Sequence, residues 1–132
     1  MTSIQDFVTQ GGQSVTAGEV GAFRNHLAAY KLKAEMLVSA GQVRLSEQSA
    51  FLLRYIEDVL DGVYVPGDFS ALPDAVFAMR YLAKGVDIIP DSVPEIGYKD
   101  DAEVVHAVLL AHEKEYRAFS SSQKIGFDTF EA

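Results

Sequence analysis

The stretch that decides the fold class is TAGEVGAFRNHLAAYKLKAEMLVSAG, residues 16–41 of the 132-residue chain. It opens on Thr16 and Glu19, the spacing of a capping box, in which each side chain accepts a hydrogen bond from a backbone N–H at the helix start. Apolar residues then recur at steps of three and four, which gives a helix one buried stripe: Val20, Phe23, Leu27, Tyr30, Ala34 and Leu37. Gly41 predicts a left-handed helix end, and two early glycines allow a break midway.

The rest of the chain is predicted to form three more helices. A second helix begins near Ser46, a good N-cap residue, and ends at Gly62. A third helix covers about residues 73–84, and a fourth covers about residues 101–118. Because no run alternates with period two, the sequence predicts an all-α protein. It would be one domain over residues 1–132, a compact bundle of about four helices with a loose tail over 119–132.

Composition excludes several classes of function. The chain is 48% hydrophobic and 23% charged, as expected for one globular domain. It has no cysteine, so disulfides, thiol nucleophiles and thiolate zinc sites are excluded. The net charge of −8 opposes contact with a phosphate backbone, so no nucleic-acid partner is expected. Neither a signal peptide nor an apolar run of about 20 residues is found, which favours a cytoplasmic protein.

Most of the negative charge falls in the connection between the third and fourth predicted helices. This connection reads GVDIIPDSVPEIGYKDD, residues 85–101, and only Lys99 opposes its five carboxylates: Asp87, Asp91, Glu95, Asp100 and Asp101. Pro90 and Pro94 fix backbone φ angles, and the apolar residues between and around them favour packing on a core. The sequence therefore predicts a rigid, Pro-rich acidic loop rather than a flexible linker.

One string in this loop resembles the signature of the YkvA-like family of small bacterial proteins, a domain of unknown function. Its motif positions are Asp87, Ile89, Pro90, Asp91, Pro94, Gly97, Tyr98, Asp100 and Asp101, and Glu103 follows. The resemblance covers about residues 75–111 and implies a helix–loop–helix core. Since the family supplies no established activity, the resemblance implies a fold and a loop rather than a reaction.

The loop carboxylates have two readings. Asp100 or Asp101 would cap the fourth helix, with Glu103 completing a capping box, and Asp91 would accept local backbone N–H bonds in a turn. No cofactor is expected under this capping interpretation; alternatively, Asp87, Asp91, Asp100 and Asp101 would supply oxygen ligands to Mg²⁺ or Ca²⁺. The capping reading is favoured, because the spacing is not that of an EF-hand.

Glu103 and His106 form a separate pair with metal-ligand spacing. At i and i+3 they share one helix face, as in one half of a di-iron site in a helical bundle. A complete site needs a second such pair, but neither His26 nor His112 has a glutamate three residues before it. The pair is therefore read as a surface contact on the helix.

Three classes of function remain, and no catalytic residue stands out. The favoured one is a non-enzymatic interaction or regulatory module that presents the acidic loop to a protein partner. That partner could be a second copy, whose acidic loop would meet the basic side of the first helix at Arg24, His26, Lys31 and Lys33. The alternatives are a divalent-metal-binding protein or metal-dependent enzyme, and a protein with at most peripheral membrane contact.

Overall fold

A computed structural model describes residues 4–88 and 94–123, with side chains described over 8–82 and 102–123. These residues form α-helices and no strand, which confirms the all-α prediction. Seven α-helices occur in the described part of the chain: α1 (Ile4–Gln13), α2 (Ala17–Phe23), α3 (Leu27–Ser39), α4 (Val43–Leu60), α5 (Ala71–Ile88), α6 (Pro94–Ala111) and α7 (Glu113–Gln123). None of the helices searched is long and apolar enough to cross a membrane.

The capping box is present at the start of α2. The Glu19 amide donates to Thr16 Oγ1 at 3.1 Å, and the Thr16 amide donates to Glu19 Oε1 at 3.0 Å. The hydrogen bond from the Thr16 backbone, aided by Arg80, holds the pKa of Glu19 below its usual value. The predicted first helix does break, because a 3₁₀ turn over Arg24–His26 separates α2 from α3. Gly41 has a φ of +82°, as predicted for a left-handed helix end.

The predicted N-cap role of Ser46 is wrong. Helix α4 begins at Val43, so Ser46 lies inside its second turn and is buried. Its hydroxyl donates to the Ala34 carbonyl oxygen of α3 at 2.6 Å. A buried hydroxyl needs a hydrogen-bond partner, and the Ala34 carbonyl oxygen supplies one where α3 packs against α4.

The helices around the acidic segment are longer than predicted. Helix α5 continues past Gly85 to Ile88, and α6 begins at Pro94, because proline suits the first position of a helix. The predicted loop over 85–101 is therefore largely helical, and its centre, residues 89–93, lies outside the described residues. Asp100 and Asp101 lie within α6, so their predicted capping role is wrong.

The predicted fourth helix is two helices. His112 separates α6 from α7, and α7 continues to Gln123. The predicted loose tail over 119–132 is thus helical in its first five residues, where Phe119 is fully buried. Residues 124–132 lie outside the described part. Apolar burial of Phe119 explains why this segment is ordered although its sequence has no clear period.

Helix α5 occupies the centre of the packing and contacts α1, α4 and α6. The core is formed by side chains that are at most 7% exposed, including Leu52, Leu53, Ile56, Val76, Met79, Val104, Val105, Val108 and Leu109. Helix α1, which the sequence analysis did not predict, reaches α5 through a close approach at Gly12. A Cβ atom there would lie 1.5 Å from Asp74 Oδ1, so only glycine fits at this contact.

Candidate functional site

The connection between α4 and α5, Asp61–Ser70, presents the most exposed apolar side chains of the described residues. We call it the 61–70 loop. Val63 is 60% exposed, Val65 is 75% exposed and Phe69 is 66% exposed. A single exposed apolar residue is common on protein surfaces, but three within seven positions of one connection make that connection a candidate contact surface.

A buried carboxylate ties this loop to the helices beneath it. Glu115 of α7 is only 6% exposed. Its Oε1 accepts hydrogen bonds from the amides of Gly67 at 3.1 Å and Asp68 at 3.2 Å. Its Oε2 accepts from the hydroxyl of Tyr55 of α4 at 3.0 Å. One side chain thus holds the loop, α4 and α7 together, and burial together with Glu115 raises the pKa of Tyr55 far above its usual value.

Aromatic rings form the floor under the loop. Tyr64 packs edge-on against Phe119 with ring centres 5.0 Å apart, and Tyr55 meets Tyr116 at 5.0 Å with the rings nearly perpendicular. Such edge-to-face pairs add to the stabilisation from burial. The Tyr116 hydroxyl donates to the Ala71 carbonyl oxygen at 2.9 Å, which fixes the first residue of α5 to α7. The backbone that carries the exposed side chains is therefore anchored from below.

A histidine lies between two carboxylates at the end of the loop. His112 Nε2 is 2.6 Å from Asp74 Oδ2, and Nδ1 is 3.8 Å from Asp68 Oδ2. Asp68 Oδ1 also accepts from the Ser70 amide at 3.0 Å and the Ser70 hydroxyl at 2.6 Å, just before α5 begins. Burial lowers the pKa of His112, but the two carboxylates outweigh it, so the pKa is raised. Hydrogen bonds from Ser70 and, to a smaller extent, the attraction of His112 lower the pKa of Asp68.

This polar cluster supports the loop rather than forming a metal centre. The two carboxylates meet different nitrogens of the ring, so they do not converge with it on one point. Among the described side chains, no three His, Asp or Glu residues are placed to hold a metal ion. Ion pairs and hydrogen bonds of this cluster join the 61–70 loop, the start of α5 and the residue between α6 and α7.

The predicted metal ligands fall mainly on helix positions. Asp87 lies in the last turn of α5, while Asp100 and Asp101 lie within α6. Asp91 lies outside the described residues, as do Ile89 and Pro90 of the motif. The remaining motif residues, Pro94, Gly97, Tyr98 and Glu103, lie in α6. Since the side chains of the four predicted ligands are not among those described, the Mg²⁺ or Ca²⁺ site stays a prediction.

Glu103 and His106 line a surface cavity of about 460 Å³ between α6 and the start of α4. Arg44 and Gln48 of α4 line the same cavity. The two α6 residues do share a helix face, as their spacing predicted. Over the described side chains no third carboxylate or histidine joins them in a metal-binding group, so the di-iron reading gains no support.

The predicted basic side of the first helix is largely paired within the chain. Arg24 forms an ion pair with Asp61, and Lys31 Nζ lies 2.8 Å from Glu57 Oε2. Both acidic partners belong to α4 or the residue after it. The predicted contact between this basic side and the acidic segment of a second copy stays a prediction. Arg24 and Lys31, two of the cations it would use, already have acidic partners within the chain.

Helices α5 and α6 pack against each other and carry the described residues of the motif that resembles the YkvA-like signature. Residues 75–107 match the model of the family DUF1232, a protein of unknown function. This match confirms the resemblance over about a quarter of the chain. No curated protein and no solved structure matches the chain. The DUF1232 segment includes Glu103 and His106, but it leaves out the 61–70 loop, His112 and Glu115.

The sequence analysis missed the loop and its support. Val63, Val65 and Phe69 surround Pro66 and Gly67 between two helices, and apolar residues in a connection must pack or be available for contact. These exposed-loop apolar residues were the sequence signal that could have indicated a contact surface in the connection between the two helices. Nothing in the sequence pattern indicates that Glu115 reaches the loop, because the contact joins residues 47 and 48 positions apart.

Proposed function

We propose that the protein is a non-enzymatic interaction module that docks a protein partner through the exposed apolar side chains of the 61–70 loop. The observation that carries the proposal is the combination of Val63, Val65 and Phe69 on the surface with Glu115 holding their backbone from below. A loop that is ordered before binding loses less conformational entropy when a partner binds.

Charge indicates the chemistry of the partner. Asp68 is 57% exposed beside Phe69, and Asp61 is 40% exposed at the other end of the loop. The whole chain carries a net charge of −8. A partner that fits this surface offers an apolar groove with a basic rim, because opposite charges steer docking. An anionic membrane would be repelled by the same charge, so a protein groove is favoured over a lipid surface.

Photo-crosslinking followed by measured binding tests this function. A photoreactive amino acid is placed at position 65 or 69 in cells, and at position 114 on the exposed side of α7 as a control. We expect a discrete crosslinked protein from the two loop positions and none from position 114. That protein is then purified, and its affinity is measured for the unchanged chain and for Val65→Ser with Phe69→Ser.

The double substitution is expected to weaken binding by about tenfold or more, since central apolar side chains contribute most to an interface. It should leave the melting temperature unchanged, because both side chains are exposed. Equal affinity for the two forms would reject the proposal. Flotation with lipid vesicles that depends on Phe69 would reassign the loop to a membrane contact.

A second candidate function, binding of a basic partner or a divalent cation by the acidic segment, stays a prediction from the sequence. Residues 85–103 carry six carboxylates against one lysine, a charge that suits either a basic partner or a divalent cation. The DUF1232 match covers this segment, so a role there would belong to the family segment rather than to the 61–70 loop. A melting experiment with divalent cations, given in the Discussion, tests it.

A further inference from the structure

We propose that His112 is a pH-sensitive latch, whose doubly protonated ring bridges Asp68 and Asp74 and holds the 61–70 loop against α5 and α7. This inference rests on the proposed function, because the loop that it regulates is the proposed docking surface. It adds a condition to that function: the loop that the partner meets is held most firmly while the ring carries its second proton.

The geometry favours a ring with both protons, because a carboxylate oxygen faces each nitrogen. Nε2 lies 2.6 Å from Asp74 Oδ2, and Nδ1 lies 3.8 Å from Asp68 Oδ2. A neutral imidazole has one N–H and one lone pair, so one carboxylate would then face the lone pair. The two carboxylates would also lose the positive charge that separates them. His112 and Asp74 are only 11% and 12% exposed, so water screens their attraction weakly. Asp68 is 57% exposed, so its attraction to the ring is partly screened.

Asp68 is the member of the cluster that transmits the change to the loop. Its carboxylate accepts from the amide and the hydroxyl of Ser70 while its other oxygen faces the ring. Its backbone amide donates to Glu115. Loss of attraction to His112 therefore weakens the loop at the residue beside Phe69, one of the proposed contact side chains.

The other described groups around the ring have partners of their own or a strongly raised pKa. Tyr116 of α7 meets the ring edge-on at 6.0 Å, but burial raises its pKa well above the usual value. Glu115 of α7 is committed to Tyr55 and two loop amides. Glu113, next to His112 in the chain, pairs with Arg117. Asp74 comes from α5 and Asp68 from the loop, so these two carboxylates and the ring form the latch.

The direction of the pH effect follows from the raised pKa of His112. A group whose pKa is higher in the folded state stabilises that state fully below its ordinary pKa of about 6.5. This contribution is lost as the pH rises through the raised value. The loop is therefore held at mildly acidic pH and loosened as the pH rises.

NMR on the isolated protein tests the latch without any partner. The titration of His112 is followed from about pH 5.5 to pH 8.5, across the range in which histidines change charge. At each pH the water-exchange rates of the Gly67, Asp68 and Ser70 amides are divided by their intrinsic rates. We expect these normalised rates to rise about two- to fivefold, the effect of losing one partly screened ion pair. The midpoint should coincide with the titration of His112.

Matched variants keep the test decisive. In His112→Gln the rates should not depend on pH, whereas His26→Gln, at an exposed histidine, should behave as the unchanged protein. If His112→Gln does not fold, Asp68→Asn serves instead, and it should lower the titration midpoint of His112. Rates that stay constant in the unchanged protein, or an unshifted midpoint in Asp68→Asn, would overturn the latch. Failure of docking would instead appear as equal partner affinity for the Val65→Ser, Phe69→Ser form.

Discussion

Replacing Glu115 by alanine is the sharpest test of how the 61–70 loop is held. The change removes the acceptor of three hydrogen bonds, from Tyr55, Gly67 and Asp68. Tyr55 is fully buried, so its hydroxyl is left without this acceptor at a cost of about 1–3 kcal/mol. The two loop amides turn towards water but lose charge-assisted bonds, which adds about 1–2 kcal/mol. Release of a buried carboxylate returns part of this cost.

The net expectation is a fall of about 2–4 kcal/mol in the free energy of unfolding. With a denaturant slope of about 2 kcal/mol per M, the urea midpoint moves down by about 1–2 M. Urea unfolding followed by circular dichroism measures it. Glu113→Ala is the matched control, because Glu113 lies on the same helix in an exposed i,i+4 pair with Arg117 and should cost less than about 0.5 kcal/mol. If the two variants unfold at the same urea concentration, Glu115 does not anchor the loop.

Three other predictions test the packing and the acidic segment. Gly12→Ala places a methyl group against a carboxylate of α5 and should destabilise by about 1–3 kcal/mol in urea, whereas Gly21→Ala meets open space and should not destabilise. Ser46→Ala removes a buried hydrogen bond to the Ala34 carbonyl oxygen and should cost about 0.5–1.5 kcal/mol; an unchanged urea midpoint would show that this bond adds no stability. If the acidic segment binds Mg²⁺ or Ca²⁺, either ion should raise the melting midpoint relative to EDTA and Asp91→Asn should remove the rise; identical curves would reject the site.

Local signals in the sequence predicted local structure well. The capping box at Thr16 and Glu19 and the left-handed end at Gly41 are both present, because each depends on residues within one helical turn. Local signals also misplaced the end of the third predicted helix and the start of the fourth, because long-range packing decides both positions. Gly85 and the residues before Asp101 carry signals that end isolated helices, but packing of α5 against α6 overrides a propensity of about 1 kcal/mol.

The candidate site was beyond the reach of such signals. The Glu115 carboxylate contacts loop amides far away in the chain, and His112 meets carboxylates from two different elements. Asp74 lies in the first turn of α5, and its contact with His112 joins residues 38 positions apart. Long-range polar contacts leave no periodic pattern in a sequence, whereas the family motif is contiguous and was recognisable.

The DUF1232 segment and the 61–70 loop are different parts of one packed unit. Helices α5 and α6 bury Val76, Met79, Val104 and Val108, and two helices alone cannot remove all of these side chains from water. Helices α1 and α4 cover them, and α4 leads directly into the loop. The residues that anchor the loop, His112 and Glu115, lie after the family segment ends. A chain that keeps the α5–α6 pair but changes these flanking residues would therefore keep the DUF1232 segment while losing the support of the proposed docking surface.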